Sequence, residues 1–428
     1  MKSRTAIFLL VISSLIVLFI SGIKSEADNA ENKPIEIENE PAPIPLPTYV
    51  KNYLSFIETE VESSKTVGAA LSIVQDGDIL VQKGYGYINA NNSQPVNEHT
   101  VFRLASVSKG FAGVLAGILD EDSIIGLDDH VVDYLPTFRL KNQLNTDSLT
   151  IRHTLSHTTG LVPHSYDNLI EERVPEGDIL EKMDDVDISA IPGKIYSYQN
   201  VMFSLIDTLL RIQTEKDYSY HLAQKIFEPL GMENASTGFL AMEEGTNIAH
   251  PHVRVSGGYV PVRLNKGYYN VIPAAGVNAS ISDLSIWLQA LLGYHQDKIS
   301  SSITSLISTP YIQTPLKRQY TRRWGKLDEK YYSLGWRIYD YRGIRIVYHG
   351  GYVRGYRAEI AFCPEEDIGI AFLQNSPNRL ASQSIPVFFN YYIDMMEGVY
   401  DKHIHAQITP MESIFLHHAG ERIVPAFP

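Results

Sequence analysis

A chain of 428 residues, 44% hydrophobic and 20% charged, has the material for a large buried core, and its length leaves room for two or three domains. A net charge of -13 argues against the basic patch with which nucleic-acid-binding proteins meet phosphate. The single cysteine, Cys363, excludes an intrachain disulfide, and its distance from the N-terminus excludes lipid attachment there. No glycine-rich phosphate loop occurs, so no cofactor is expected.

Lys2 and Arg4 precede an apolar run from Ala6 to Ile20, which has the length of a signal-peptide core. Ser25-Glu26-Ala27 offers small residues where a signal peptidase reads, though imperfectly. Residues 1–27 therefore read as a signal peptide or an N-terminal anchor. The expectation is export to the periplasm or the extracellular space, with membrane anchoring through residues 6–23 as the alternative. That stretch is short beside the roughly 17–25 apolar residues of a full span. Residues 28–48 are rich in Glu, Asn and Pro and end near PAPIPLP, the composition of an extended linker. No linker interrupts residues 49–400, which read as one domain, and residues 401–428 form a C-terminal tail with no motif.

Val67 to Val74 and Asp78 to Gly86 have strand patterns about the turn pair Asp76-Gly77. After them comes FRLASVSKGFAGVLAGIL, where Phe111, Val114, Leu115, Ile118 and Leu119 recur at helical spacing. Ser106 and Lys109 stand three apart at the start of this helix and so share a face. An amine beside a hydroxyl can take its proton and free the oxygen to attack an acyl carbon. The same tetrapeptide pattern at Ser21 to Lys24 closes the apolar N-terminal run and carries no such context.

His153 and His157, four apart in RHTLSHTTGL, could in principle hold zinc, but no third ligand accompanies them and a structural role is expected, with no metal site. Tyr-x-Asn occurs at Tyr87, Tyr166, Tyr198 and Tyr268, and only Tyr198-Gln199-Asn200 follows PGKIYS and precedes a helical stretch, Val201 to Ile212. Leu284 to Leu292 reads as a helix with Ser282 as its N-cap. Tyr332 to Tyr339, Ile344 to Tyr348, Tyr356 to Phe362 and Ile368 to Leu373 read as an antiparallel meander, followed by a helix near Phe388 to Val399. The expected architecture is α+β: one antiparallel sheet built from both ends of the domain, flanked by helices, with a mostly helical region inserted.

Neither lysine nor tyrosine is a base at neutral pH unless its surroundings lower its pKa. A neighbouring ammonium favours phenolate, and burial disfavours the charged lysine, so the pair can act together. Asn200 carries donor and acceptor, suited to holding Lys109 and bonding a substrate amide. Which of lysine and tyrosine is the acting base stays open at this level.

Ser106-x-x-Lys109, Tyr198-x-Asn200, Pro229-Leu-Gly-Met232 and His349-Gly-Gly351 follow one another in an order that resembles the serine hydrolases related to class C β-lactamases and low-molecular-weight penicillin-binding proteins. The resemblance covers Tyr49 to Tyr400. It implies a β-lactamase/transpeptidase-like fold and catalysis by Ser106, Lys109 and Tyr198 through an acyl-enzyme. It also implies an oxyanion hole made by the backbone N–H groups of Ser106 and Tyr352, a substrate strand at His349 and Gly351, and a substrate contact at His164. Where a typical β-lactamase has Lys-Thr-Gly, this chain has an imidazole and a glycine, so weaker carboxylate recognition is expected. An esterase or D-amino-acid peptidase is therefore expected ahead of a β-lactamase, with small-molecule ester, D-peptide or β-lactam substrates. The alternative of another class is a non-catalytic penicillin-binding or sensing protein on the same fold.

Overall fold

The computed structural model describes residues 45–315 and 322–398. The expectations for residues 1–27, most of the linker and the tail lie outside the described residues. The first helix, α1 (Thr48–Ser63), already includes Thr48, the last residue assigned to the linker. It leads into β1 (Gly68–Gln75) and β2 (Asp78–Gly86), joined through Asp76 and Gly77, both at positive φ. Such a two-residue turn matches the twist of the strands it joins.

The remaining strands of the sheet come from the far end of the chain: β3 (Ile312–Gln313), β4 (Glu329–Tyr332), β5 (Arg337–Tyr341), β6 (Ile344–Val353), β7 (Tyr356–Cys363) and β8 (Ile368–Gln374). Their spatial order is β2-β1-β8-β7-β6-β5-β4-β3, antiparallel throughout. The expected strand from Tyr332 to Tyr339 is in fact the end of β4 and the start of β5, split at Ser333–Trp336. Gly335 there has φ +75, and a side chain on it would come within 2.0 Å of the Lys109 carbonyl. Close packing on the lysine-bearing helix breaks the strand in two.

Both faces of the sheet are covered, which strand alternation makes legible. Ala69, Leu71 and Ile73 of β1 join Ile368, Ile370 and Phe372 of β8 under α1 and the last described helix, α6 (Arg379–Met396). Ala70 and Val74 join Ala371 and Leu373 on the other face, against α2 (Ser108–Glu121) and α5 (Ile281–Leu291). The helix α5 is capped by Ser280 and not by Ser282: the Ser280 hydroxyl accepts from the Asp283 N–H at 3.2 Å, and Asp283 returns a carboxylate to the Ser280 N–H at 2.8 Å. Asp283 at the third helical position forms that reciprocal box and moves the start two residues upstream.

Between β2 and β3 lies the mostly helical insertion, including α2, α3 (Asp167–Glu171) and α4 (Val201–Thr214). Among the described residues no helix is long and apolar enough to cross a membrane, and no group of three or more His, Cys, Asp or Glu side chains is placed to hold a metal ion.

Candidate active site

A two-residue strand, Phe102–Arg103, ends in a 3-10 turn, Ala105–Val107, that runs directly into α2. Ser106 therefore stands on the bend before the regular helix, with Lys109 in its first turn. Ala105 takes φ +48, a left-handed conformation that costs a residue with a Cβ energy and recurs where a reactive group must be presented.

Lys109 is fully buried, and its Nζ donates to Asn200 Oδ1 at 2.8 Å and to the Ala274 carbonyl at 3.0 Å. Burial pushes its pKa well below the ordinary lysine value, with Asp167 opposing that shift and Arg337 adding to it. A neutral amine has two N–H bonds and a lone pair. Both N–H bonds have acceptors here, which leaves the lone pair to receive a proton. The amine lies 4.7 Å from the centroid of the Tyr198 ring.

Tyr198 precedes α4, and its hydroxyl donates to Ser106 Oγ at 3.1 Å. Burial raises its pKa, with Arg337 and the Ser106 hydrogen bond pulling the other way. The resting phenol is thus protonated. His157 supports the ring from beneath, 4.2 Å between centroids, and accepts the Gln199 N–H on Nδ1 at 3.2 Å. His153 accepts the Thr150 N–H at the start of the helix Ile151–Leu155. Both histidines have structural positions.

Asn200 gives its amide nitrogen to Asp167, 3.1 and 3.2 Å from the two carboxylate oxygens. Asp167 is paired in turn with His164, Nδ1 to Oδ2 at 2.8 Å. His164 faces the cavity beside Tyr198, and its Nδ1 is engaged with this carboxylate. Asp167 carried no motif signal. It lies inside one of the Tyr-x-Asn strings that the order of the motifs set aside.

On β6, His349 and Gly351 share one face and Gly350 the other. A Cβ on Gly351 would come within 2.1 Å of the Leu104 carbonyl and 2.9 Å of the Ser106 nitrogen, so glycine lets the strand lie against the Ser106 amide. Tyr352 follows on the same strand and is 41% exposed. His349 is fully buried, with Nε2 3.4 Å from the Tyr332 hydroxyl and Nδ1 3.0 Å from the Gly350 carbonyl. Burial, Arg337 and Lys109 hold its pKa well below the ordinary histidine value. It is therefore neutral across the physiological range, and not merely above mildly acidic pH.

The glycine in the threonine position has a different explanation from the one expected. A Cβ on Gly350 would lie 2.3 Å from the Tyr348 hydroxyl and 2.8 Å from a Glu359 oxygen. Glu359, 1% exposed, accepts from Arg357 at 2.5 Å, from Arg323 at 3.5 Å and from Tyr348. Gly350 makes room for this charge cluster behind the strand and does not mark a hydroxyl lost from the substrate side.

Tyr198 also forms one wall of a cavity of about 220 Å³ whose lining includes His164, Tyr196, Ser197, Lys330, Arg337 and Tyr339. Arg337 lies with its guanidinium carbon 5.6 Å from the Tyr198 ring centroid. Neither Lys330 nor Arg337 falls in a recognisable motif.

Residues 55–385 match the Beta-lactamase family model, and the chain belongs to that family. It is 23% identical over 342 residues to "Protein flp" of Staphylococcus aureus (strain NCTC 8325 / PS 47), covering 78% of this chain and 63% of that one. It is 28% identical over 340 residues to "Unguisins hydrolase ungD'" of Aspergillus campestris, covering 76% and 61%. The chain thus spans under two thirds of the length of these relatives. Among solved structures, the octameric penicillin-binding protein homologue from Pyrococcus abyssi superposes with a TM-score of 0.69 at 24% identity, over 82% of this chain and 77% of that one, which shows the shared fold.

Proposed function

We propose that the protein is a serine hydrolase acting through an ester on Ser106, with ester or D-amino-acid peptide substrates ahead of β-lactams. The observation that carries the reading is the contact of the Tyr198 hydroxyl with Ser106 at 3.1 Å beside a buried Lys109, whose pKa burial pushes well below the ordinary lysine value. As Ser106 Oγ attacks the carbonyl carbon, its proton passes to the Tyr198 oxygen and the phenol proton moves to the Lys109 lone pair. Lys109 and Arg337 stabilise the phenolate character that develops between these transfers. The oxyanion meets the N–H groups of Ser106 and Tyr352, donors of a kind typically worth about 3–4 kcal/mol each in the transition state. Collapse breaks the bond to the leaving group, which takes a proton back through Tyr198. Water then adds to the ester by the same path and releases the acid.

Substrate preference rests on His349. A buried neutral imidazole supplies no fixed cation where the β-lactamase pattern has an ammonium. The name of the fungal relative, a hydrolase, supports hydrolysis as the reaction. The test is turnover of p-nitrophenyl esters, D-amino-acid amides, D-Ala-D-Ala peptides and nitrocefin by the purified protein, with mass spectrometry of trapped Ser106. Esters or D-peptides should exceed nitrocefin in kcat/KM. Nitrocefin as the best substrate would reverse the preference, and stable acylation without turnover of any substrate would assign the protein to penicillin binding or sensing.

A further inference from the structure

The loop that carries His164 runs alongside Tyr198-Gln199-Asn200 and is tied to it at three points. The His164 N–H donates to the Tyr198 carbonyl at 2.8 Å, the Gln199 side chain donates to the Val162 carbonyl, and Asp167, which opens α3, accepts from Asn200. His164 itself takes φ +59, a left-handed conformation that a residue with a Cβ keeps only where its surroundings hold it there. Its ring centroid lies 5.4 Å from that of Tyr198, and its Nδ1 is 2.8 Å from Asp167 Oδ2. A carboxylate cannot donate, so in the neutral imidazole Nδ1 carries the hydrogen and Nε2 keeps a lone pair. Nε2 has no partner among the described residues, and the side chain, 33% exposed, lines the same cavity as Tyr198. An imidazole oriented by a carboxylate, with its other nitrogen open to the cavity, is placed to direct a nucleophile's O–H. The proton path from Ser106 through Tyr198 to Lys109 makes no use of it.

We propose that His164 Nε2 positions the water that hydrolyses the ester on Ser106. This rests on the hydrolase reading and goes beyond it, to what selects water as the acyl acceptor. Water has two O–H bonds. As its oxygen bonds to the ester carbon, one proton passes to the Tyr198 oxygen while the phenol proton moves to Lys109. The other O–H donates to Nε2 throughout and keeps its hydrogen. Collapse breaks the bond to Ser106 Oγ, which takes a proton back from Lys109 through Tyr198, and the second hydrogen leaves on the carboxylic acid. Asp167 fixes the imidazole tautomer this bond requires, and the same carboxylate turns the Asn200 oxygen towards Lys109. One acid thus aligns the groups at both O–H bonds of the water. An alcohol has a single O–H, which the Tyr198 path consumes, so it gains nothing from His164. The imidazole therefore favours water over other acceptors, and it acts in the second half of turnover.

Stopped-flow kinetics with the p-nitrophenyl ester turned over best, mass spectrometry of acyl-Ser106 and product analysis in dilute methanol test this. His164→Ala should slow deacylation by roughly tenfold or more beyond any change in acylation. A burst of nitrophenolate should then appear and acyl-Ser106 accumulate. The ratio of methyl ester to free acid should rise by the same factor, because methanolysis does not use Nε2. A purely structural role would leave that ratio where it is. His164→Phe fills the same space without a lone pair and should behave as His164→Ala does; it is read instead if the alanine variant fails to label with fluorophosphonate. Equal losses in acylation and deacylation, an unchanged methanol ratio, or deacylation at the wild-type rate would each overturn the role of His164. A wild type that forms no acyl-Ser106, or forms it and never releases the acid, counts against the hydrolase reading instead, and the water position falls with it.

Discussion

Asp167 holds the amide nitrogen of Asn200 with both carboxylate oxygens, at 3.1 and 3.2 Å, and thereby decides which end of that amide meets Lys109. A carboxylate accepts hydrogen bonds and cannot donate, so the NH2 must face it and Oδ1 must face the amine. Asp167→Asn removes this constraint, since an asparagine can face either end. It also removes a charge that raises the Lys109 pKa. The expected result is a roughly tenfold or greater loss of kcat/KM, of the size general acid–base contributions reach. The acid limb of the pH–rate profile should also move to lower pH. The sign follows from the working form: neutral Lys109 is lost as pH falls through its folded pKa, and a lower pKa postpones that loss. A drop in rate with an unmoved limb would assign Asp167 a purely structural part.

Ser106→Ala should abolish turnover and covalent labelling by fluorophosphonate or penicillin probes. Labelling at the wild-type level would place the nucleophile elsewhere. Lys109→Ala and Tyr198→Phe should each slow acylation by about 10²–10⁴-fold, and the double variant should cost far less than the product. Groups that pass one proton along one path are not independent. Additive losses across the cycle would separate the two residues.

His349 is neutral, with a pKa held well below the histidine value first by burial and then by Arg337. The preference between charged and neutral substrates should therefore show no step near pH 6.5, the reference for an unperturbed imidazole. Profiles of the substrate ratio from pH 5 to 10, for the wild type and for His349→Gln, check this. A midpoint near 6.5 that vanishes in His349→Gln would return the role to the imidazole.

Gly350→Thr would give the strand the threonine of a Lys-Thr-Gly triad, and the structure leaves no room for it. The new side chain would meet the Tyr348 hydroxyl and Glu359. Overpacking of this kind typically costs about 1–3 kcal/mol. The expected outcome is a lowered Tm with no gain in nitrocefin turnover. Gly351→Ala, pressed against the Leu104 carbonyl and the Ser106 amide, should cost activity and labelling together. An active, fully stable Gly350→Thr protein that hydrolyses nitrocefin faster would contradict the placement of that glycine.

The strands from Ile344 onward and the helix after Ser106 were legible because both carry periodic signals that burial on one side imposes locally, two residues for the sheet and 3.6 for the helix. The same local grammar failed at Ser333–Trp336, where the Lys109 carbonyl lies against Gly335, and at Ser282, where Asp283 chose Ser280 as its partner. The order of Ser106, Lys109, Tyr198, Asn200 and His349 along the chain pointed to one site, and folding brings these residues into it. What no spacing could supply was the protonation of those groups, which depends on how much water folding strips from Lys109 and His349 and on which charges it brings beside them. Asp167 and Arg337 belong to this second kind. Each looks like an ordinary surface charge in sequence, and only the tertiary structure, by placing them beside Asn200 and Tyr198, gives them a chemical meaning.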